Sequence, residues 1–164
     1  MKASAKAFPP FFVRAILLVG WMTVIFLFSA QPATASAEVS GSLSELLLGW
    51  LSLLGVSAEQ IGEWALWFDP LLRKGAHFVA FALLGILSMW TVTKKKNVGR
   101  TFRQNVPVLL ISFTLCVLFA ITDEVHQTFV PGRSGQVSDV LLDSAGIATG
   151  VLVYVGVAMR RLRK

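Results

Sequence analysis

Four apolar runs of about membrane-helix length divide this chain, at residues 11–30, 75–93, 106–122 and 139–159. A bilayer core about 30 Å thick is crossed by roughly 20 mostly apolar residues, so each run predicts a spanning helix. Arg14 stands near the start of the first, where a long side chain can snorkel to the interface. The second carries one ionisable residue, His77, and the third carries none; the fourth opens with Asp139 and Asp143. Between the first two spans, residues 31–70 hold no Lys or Arg. Pro32 and the small residues at 33–37 predict a flexible exit from the first helix. Two short amphipathic stretches follow. Residues 43–54 place Leu46, Leu47, Trp50, Leu51 and Leu54 at near-helical spacing, and residues 58–68 place Ile61, Trp64, Ala65 and Phe68 there, with Glu59 and Glu63 elsewhere on the turn. Neither is long enough to span, and Trp50, Trp64 and Trp67 suit a water–lipid interface. The expected fold is all-α, one membrane domain over residues 1–164. It is a bundle of four transmembrane helices with one or two short interfacial helices on the outer side, lying on the leaflet or folded over the polar residues as a lid.

Composition agrees. The 164 residues are 55% hydrophobic and 15% charged, with mean hydropathy +0.69, too apolar for a soluble domain of this size. The single cysteine, Cys116, excludes an intrachain disulfide and a metal-binding cysteine pair. The net charge of +6 is not spread evenly. Lys2, Lys6 and Arg14, then Lys94, Lys95, Lys96, Arg100 and Arg103, then Arg160, Arg161, Arg163 and Lys164 all fall on one side of a four-span arrangement. The positive-inside rule puts that side, with both termini and the 94–105 link, in the cytoplasm. All nine acidic residues fall opposite, with Arg73, Lys74 and Arg133 as the only cations among them. The inner charge suits anionic lipid headgroups, so membrane lipids are the expected partners and nucleic acid is not. A second reading of the N-terminus is a signal peptide with Ala35-Ser36-Ala37 as its cleavage site. The length of the apolar run, with Trp21, Met22 and Phe26 inside it, favours a retained helix.

The candidate chemistry lies in residues 123–150, DEVHQTFVPGRSGQVSDVLLDSAGIATG. Ionisable groups near hydrocarbon cost roughly 2.5–3.5 kcal/mol each at a helix centre, so a cluster of them there marks a site. Asp123 and His126 share a helix face at i,i+3 if the third helix runs on one turn, as do Glu124 and Gln127. Pro131-Gly132 predicts a turn holding Arg133. Asp139 and Asp143 are i,i+4, and Gly146 and Gly150 extend their face, a small-residue pattern that lets a neighbouring helix approach. From the second span come Arg73, Lys74 and His77. Topology alone brings these groups to the outer boundary. Lys74 and Arg133 can grip a phosphate or carboxylate. His77, Asp123, Glu124 and His126 are candidates for acid–base work. Two histidines and four carboxylates suggest a metal, but D-E-x-H is not H-E-x-x-H and no ligand set is diagnostic, so neither metal nor cofactor is expected. Ser134 and Ser138 lack the G-x-S-x-G elbow of a serine nucleophile. The remaining reading is an ion-pair network that holds the helices in register.

The chain resembles the VanZ-like family of bacterial membrane proteins. The resemblance is carried by FSAQP at residues 28–32, RKGAHF at residues 73–78 and the block at residues 123–150, and it spans nearly the whole chain. Lys74, His77, Asp123, Glu124, His126, Gln127, Arg133 and Asp139 match the family pattern and form the expected ligand-binding set; Asp143 stands where the family commonly has Asn. The resemblance implies a small multi-pass protein of the bacterial cell membrane. For the founding member it also implies low-level resistance to the glycopeptide teicoplanin. Two functions compete: a cell-envelope binding protein that takes an envelope lipid, an anionic precursor or a glycopeptide-related ligand, and a membrane-embedded enzyme acting on a lipid-linked or headgroup substrate. The sequence leaves oligomeric state open.

Overall fold

A computed structural model describes residues 10–93 and 101–163, and among them the regular structure is entirely helical. Five helices follow in order: α1 (Phe11–Ser29), α2 (Ala33–Leu53), α3 (Ala58–Val92), α4 (Phe102–Gln127) and α5 (Val137–Arg163). Four segments are long and apolar enough to cross a membrane: α1, the Pro70–Val92 part of α3, α4, and Val137–Arg161 of α5. The expected link residues 94–100 and the basic residues Lys2, Lys6 and Lys164 lie outside the described residues.

Two expectations about the 31–70 segment are corrected. Residues 33–37 are the first turns of α2, not a flexible exit. Ala33, Ala35 and Ala37 are strong helix formers, and Pro32 sits immediately before the first helical residue, where its missing N–H costs nothing. The second short stretch does not end at residue 68. It runs unbroken through Pro70 into the second span as the 35-residue α3. Proline removes one helical hydrogen bond, whereas ending the helix there would leave up to four carbonyls without an intrahelical partner. Ser57 caps α3 with a reciprocal bond to Gln60.

The bundle closes through backbone contact rather than bulky side chains. A Cβ on Gly146 would overlap the Phe78 carbonyl, one on Gly150 the Ala82 carbonyl, and one on Gly85 would lie 2.6 Å from the Ile147 carbonyl. Thus α3 and α5 run parallel and nearly touch. Around this seam the core gathers Phe81, Leu84, Ala120, Ile147 and Val151. The large apolar residues left exposed, such as Ile16, Leu110, Leu115 and Leu152, suit a lipid surround. At the end away from the candidate site, Arg14 does not snorkel. It is 5% exposed and donates to the carbonyls of Trp90 at 2.6 Å and Thr93 at 2.9 Å. It therefore caps the C-terminal end of α3, where free carbonyls favour a cation.

Candidate functional site

Three helix ends, the interior of α3 and one loop meet at the opposite level. The C-terminal end of α1 brings Ser29, the start of the α3 span brings Arg73, Lys74 and His77, the end of α4 brings Asp123, Glu124 and Gln127, and the start of α5 brings Asp139 and Asp143. The α4–α5 loop turns at Pro131-Gly132. Arg133 N–H bonds the Val130 carbonyl at 3.1 Å, and Gly132 has φ +75°, as the third position of such a turn requires. The turn sits against the α1–α2 elbow, where the Ala33 N–H donates to the Pro131 carbonyl at 3.3 Å.

One half of the polar cluster is an interhelical network. Asp123 is 1% exposed, and its Oδ2 accepts from Ser29 Oγ at 2.8 Å and Gln127 Nε2 at 3.3 Å. Gln127 Oε1 in turn accepts from Arg133 Nη1 at 3.2 Å. Arg133 Nε donates to the Gln31 carbonyl at 2.8 Å, and Nη2 reaches the Phe28 carbonyl at 3.5 Å, so the guanidinium also covers the C-terminal end of α1. Burial and then the like charge of Arg73 pull the Arg133 guanidinium below its ordinary value, while Asp123 and Glu124 pull the other way; a guanidinium stays charged regardless.

The other half surrounds a cavity of about 180 Å³. Of the eight residues expected to bind a ligand, Lys74, His77, Glu124, Gln127, Arg133 and Asp139 line it, and Arg73, Gln136 and Asp143 join them. Asp123 lies behind, in the network. His126 points elsewhere, its ring 4.3 Å between centroids from Phe26 of α1. Glu124 Oε1 accepts from the Gln136 N–H at 2.7 Å. Lys74 Nζ is 3.6 Å from Asp139 Oδ1, a half-exposed pair of the kind that adds little stability. His77 packs parallel to Phe81, with Nδ1 3.8 Å from Asp143 Oδ1, too far for a hydrogen bond. Asp143 is 1% exposed, and neither carboxylate oxygen has a hydrogen-bond partner among the described residues. Buried polar groups are overwhelmingly hydrogen-bonded, so such a carboxylate at a cavity wall calls for a donor from outside the chain.

A second hollow, of about 330 Å³, opens between α1, α2 and α3 and is lined mainly by Trp21, Ile25, Phe28, Val39, Leu43 and Ala76. It shares Arg73, His77 and Arg133 with the polar cavity.

Among the described residues no group of three or more His, Cys, Asp or Glu side chains is placed to hold a metal. Ser134 lines the cavity, but its Oγ accepts from Gln136 Nε2 at 3.3 Å and no histidine bonds it, so it lacks the adjacent base of a nucleophilic pair. Sequence reasoning brought Arg73 and Asp143 to the level of the cluster but left both out of the ligand-binding set, and it did not place Ser29, Gln31 or Gln136 there. The FSAQP block contained the signal for Ser29 and Gln31. The Gln136 contribution is a backbone N–H, which no side-chain pattern reveals.

A family model described as VanZ/LLP1 matches residues 12–160. No curated protein and no solved structure matched the chain.

Proposed function

Because the chain belongs to the VanZ/LLP1 family, we propose that it is a multi-pass protein of the bacterial cell membrane that binds the headgroup of an envelope lipid or anionic lipid-linked precursor at the outer leaflet. Through that binding it limits access of a lipophilic glycopeptide such as teicoplanin to its target. The observation that carries this reading is the cavity itself. Arg73, Lys74 and Arg133 line a space of about 180 Å³ at the end of the bundle where α1 and α4 stop and α5 begins. Arg73, exposed in the wall, has no side-chain hydrogen bond or ion pair among the described residues, so its guanidinium is available for a bidentate grip on a phosphate or carboxylate. The remaining charges divide by role: the Asp123 network ties helices together, and the cavity side serves the ligand.

Replacing Arg73 with Gln is expected to weaken headgroup binding about tenfold, the usual worth of one charge-assisted bond. It should also move teicoplanin susceptibility toward that of a deletion strain, at unchanged membrane levels of the protein. Equal susceptibility of the deletion strain and the strain expressing the wild-type protein would overturn the resistance role. Both termini are read as cytoplasmic from the charge pattern. With Cys116 replaced by Ala, a cysteine at position 45 should react with an impermeant thiol reagent on intact cells, and one at position 97 only after permeabilisation. The reverse pattern would put the cavity on the inner face.

A second reading, a membrane-embedded enzyme, draws on His77 beside Asp143 in the same cavity. It predicts that His77→Ala abolishes turnover of an envelope lipid while the folded protein persists.

A further inference from the structure

We propose that the polar cavity and the adjoining apolar groove together hold one lipid whose headgroup bears both a phosphate and a primary ammonium, with the ammonium on Asp143, the phosphate between Arg73 and Arg133, and a hydrocarbon chain in the groove between α1, α2 and α3. The assignment rests on the headgroup-binding reading above and narrows it.

Three observations carry it. First, the cavity is not simply cationic. Arg73, Lys74 and Arg133 share its wall with Glu124, Asp139 and Asp143, and Lys74 already pairs with Asp139 at 3.6 Å. A purely anionic headgroup would satisfy the guanidinium groups and bring a like charge toward the carboxylates; a headgroup with both signs satisfies each. Second, the buried Asp143 carboxylate has two oxygens without a hydrogen-bond partner among the described residues. A primary ammonium supplies three N–H donors, whereas a quaternary ammonium supplies none and a glycerol headgroup supplies only neutral hydroxyls. Third, the groove adjoins the cavity. Arg73, His77 and Arg133 line both, so the phosphate position lies at the junction between a polar space and an apolar one. Phosphate between headgroup and chain is the order of parts in an amphipathic phospholipid. The groove floor of Ile25 and Phe81 is buried, while Val39, Leu43 and Ala76 on its walls are exposed, which leaves a side opening through which a chain enters from the bilayer.

The test uses the full-length protein in lipid nanodiscs, with a phosphatidylethanolamine probe carrying a diazirine in its acyl chain, and maps the crosslinked residues by mass spectrometry. Label is expected at groove positions such as Val39, Leu43 and Ala76, about tenfold above the lipid-facing positions Leu110 and Leu152, a 1.4 kcal/mol preference. Unlabelled phosphatidylethanolamine should compete about tenfold better than phosphatidylglycerol or phosphatidylcholine. Asp143→Asn should erase that preference while leaving groove labelling in place, and Ala76→Trp should reduce the labelling by filling the groove. Should Asp143→Asn fail to fold, the competition series on the wild-type protein still decides. Phosphatidylglycerol competing as well as phosphatidylethanolamine would overturn the ammonium assignment and leave the anionic-headgroup reading standing. Label spread evenly over the lipid-facing surface, or crosslinks to a second copy of the chain in the groove, would overturn the chain assignment. Displacement of the probe by soluble O-phosphoethanolamine, without groove labelling, would mean that the site takes a free headgroup and not a lipid. If no phosphate-bearing lipid competes and Arg73→Gln changes nothing, the headgroup reading itself fails.

Discussion

Gly150→Leu is expected to abolish the folded bundle. The Cβ alone would overlap the carbonyl of Ala82 on α3, and the obstruction is backbone, which cannot swing aside as a side chain can. Overpacking a core costs typically 1–3 kcal/mol when side chains can yield; here α3 and α5 would have to separate along their shared seam, so a loss of at least about 3 kcal/mol is expected. The separation would also pull His77 from Asp143, since one residue rides on each helix. Gly156 is the control, because a Cβ there meets nothing within 4 Å. Thermal unfolding in detergent, followed by circular dichroism and size-exclusion chromatography, should show Gly156→Leu near wild type and Gly150→Leu unfolded or aggregated. Equal melting of the two variants would mean that the α3–α5 contact is not as close as described.

Asp123→Ala is expected to be the most damaging single loss within the polar cluster, at about 3 kcal/mol. It removes the acceptor of Ser29 Oγ and Gln127 Nε2 at a buried position. With Gln127 no longer held, Arg133 loses the fixed position of one of its three acceptors. A double-mutant cycle with Ser29→Ala isolates the contact between α1 and α4. Hydrogen bonds between helices in bilayers are worth about 1–2 kcal/mol in peptide systems, so coupling of that size is expected. Additive losses would show that Ser29 and Asp123 act independently. Asp123→Asn should be milder, because one amide oxygen still accepts.

The chain itself announced the four spans because a bilayer demands about 20 apolar residues in a row, and interruptions as obvious as residues 94–105 leave little choice of register. It also announced the turn at Pro131-Gly132 and the packing face of Gly146 and Gly150, since both depend on residue types with one strong local meaning. The outer segment was harder. Whether a helix stops at residue 68 or passes Pro70 depends on what would satisfy the freed backbone groups, and that is a property of the surroundings.

The site divides in the same way. Residue types and helical spacing were enough to name Lys74, His77, Glu124, Gln127, Arg133 and Asp139 as groups that belong to one level of the bundle. Helical periodicity states which side chains share a face of their own helix. It does not state how that helix is rotated against its neighbours. The rotation, set by the glycine seam and the Ser29–Asp123 contact, turned His126 toward Phe26, sent Asp123 behind the cavity and left the Asp143 carboxylate at its wall without a hydrogen-bond partner among the described residues. Composition and spacing determined that this is a four-span membrane protein with polar groups gathered at one end. Tertiary packing alone decided which of those groups hold the helices together and which face an open cavity, because hydrogen-bond satisfaction depends on ångström-scale distances between segments far apart in the chain.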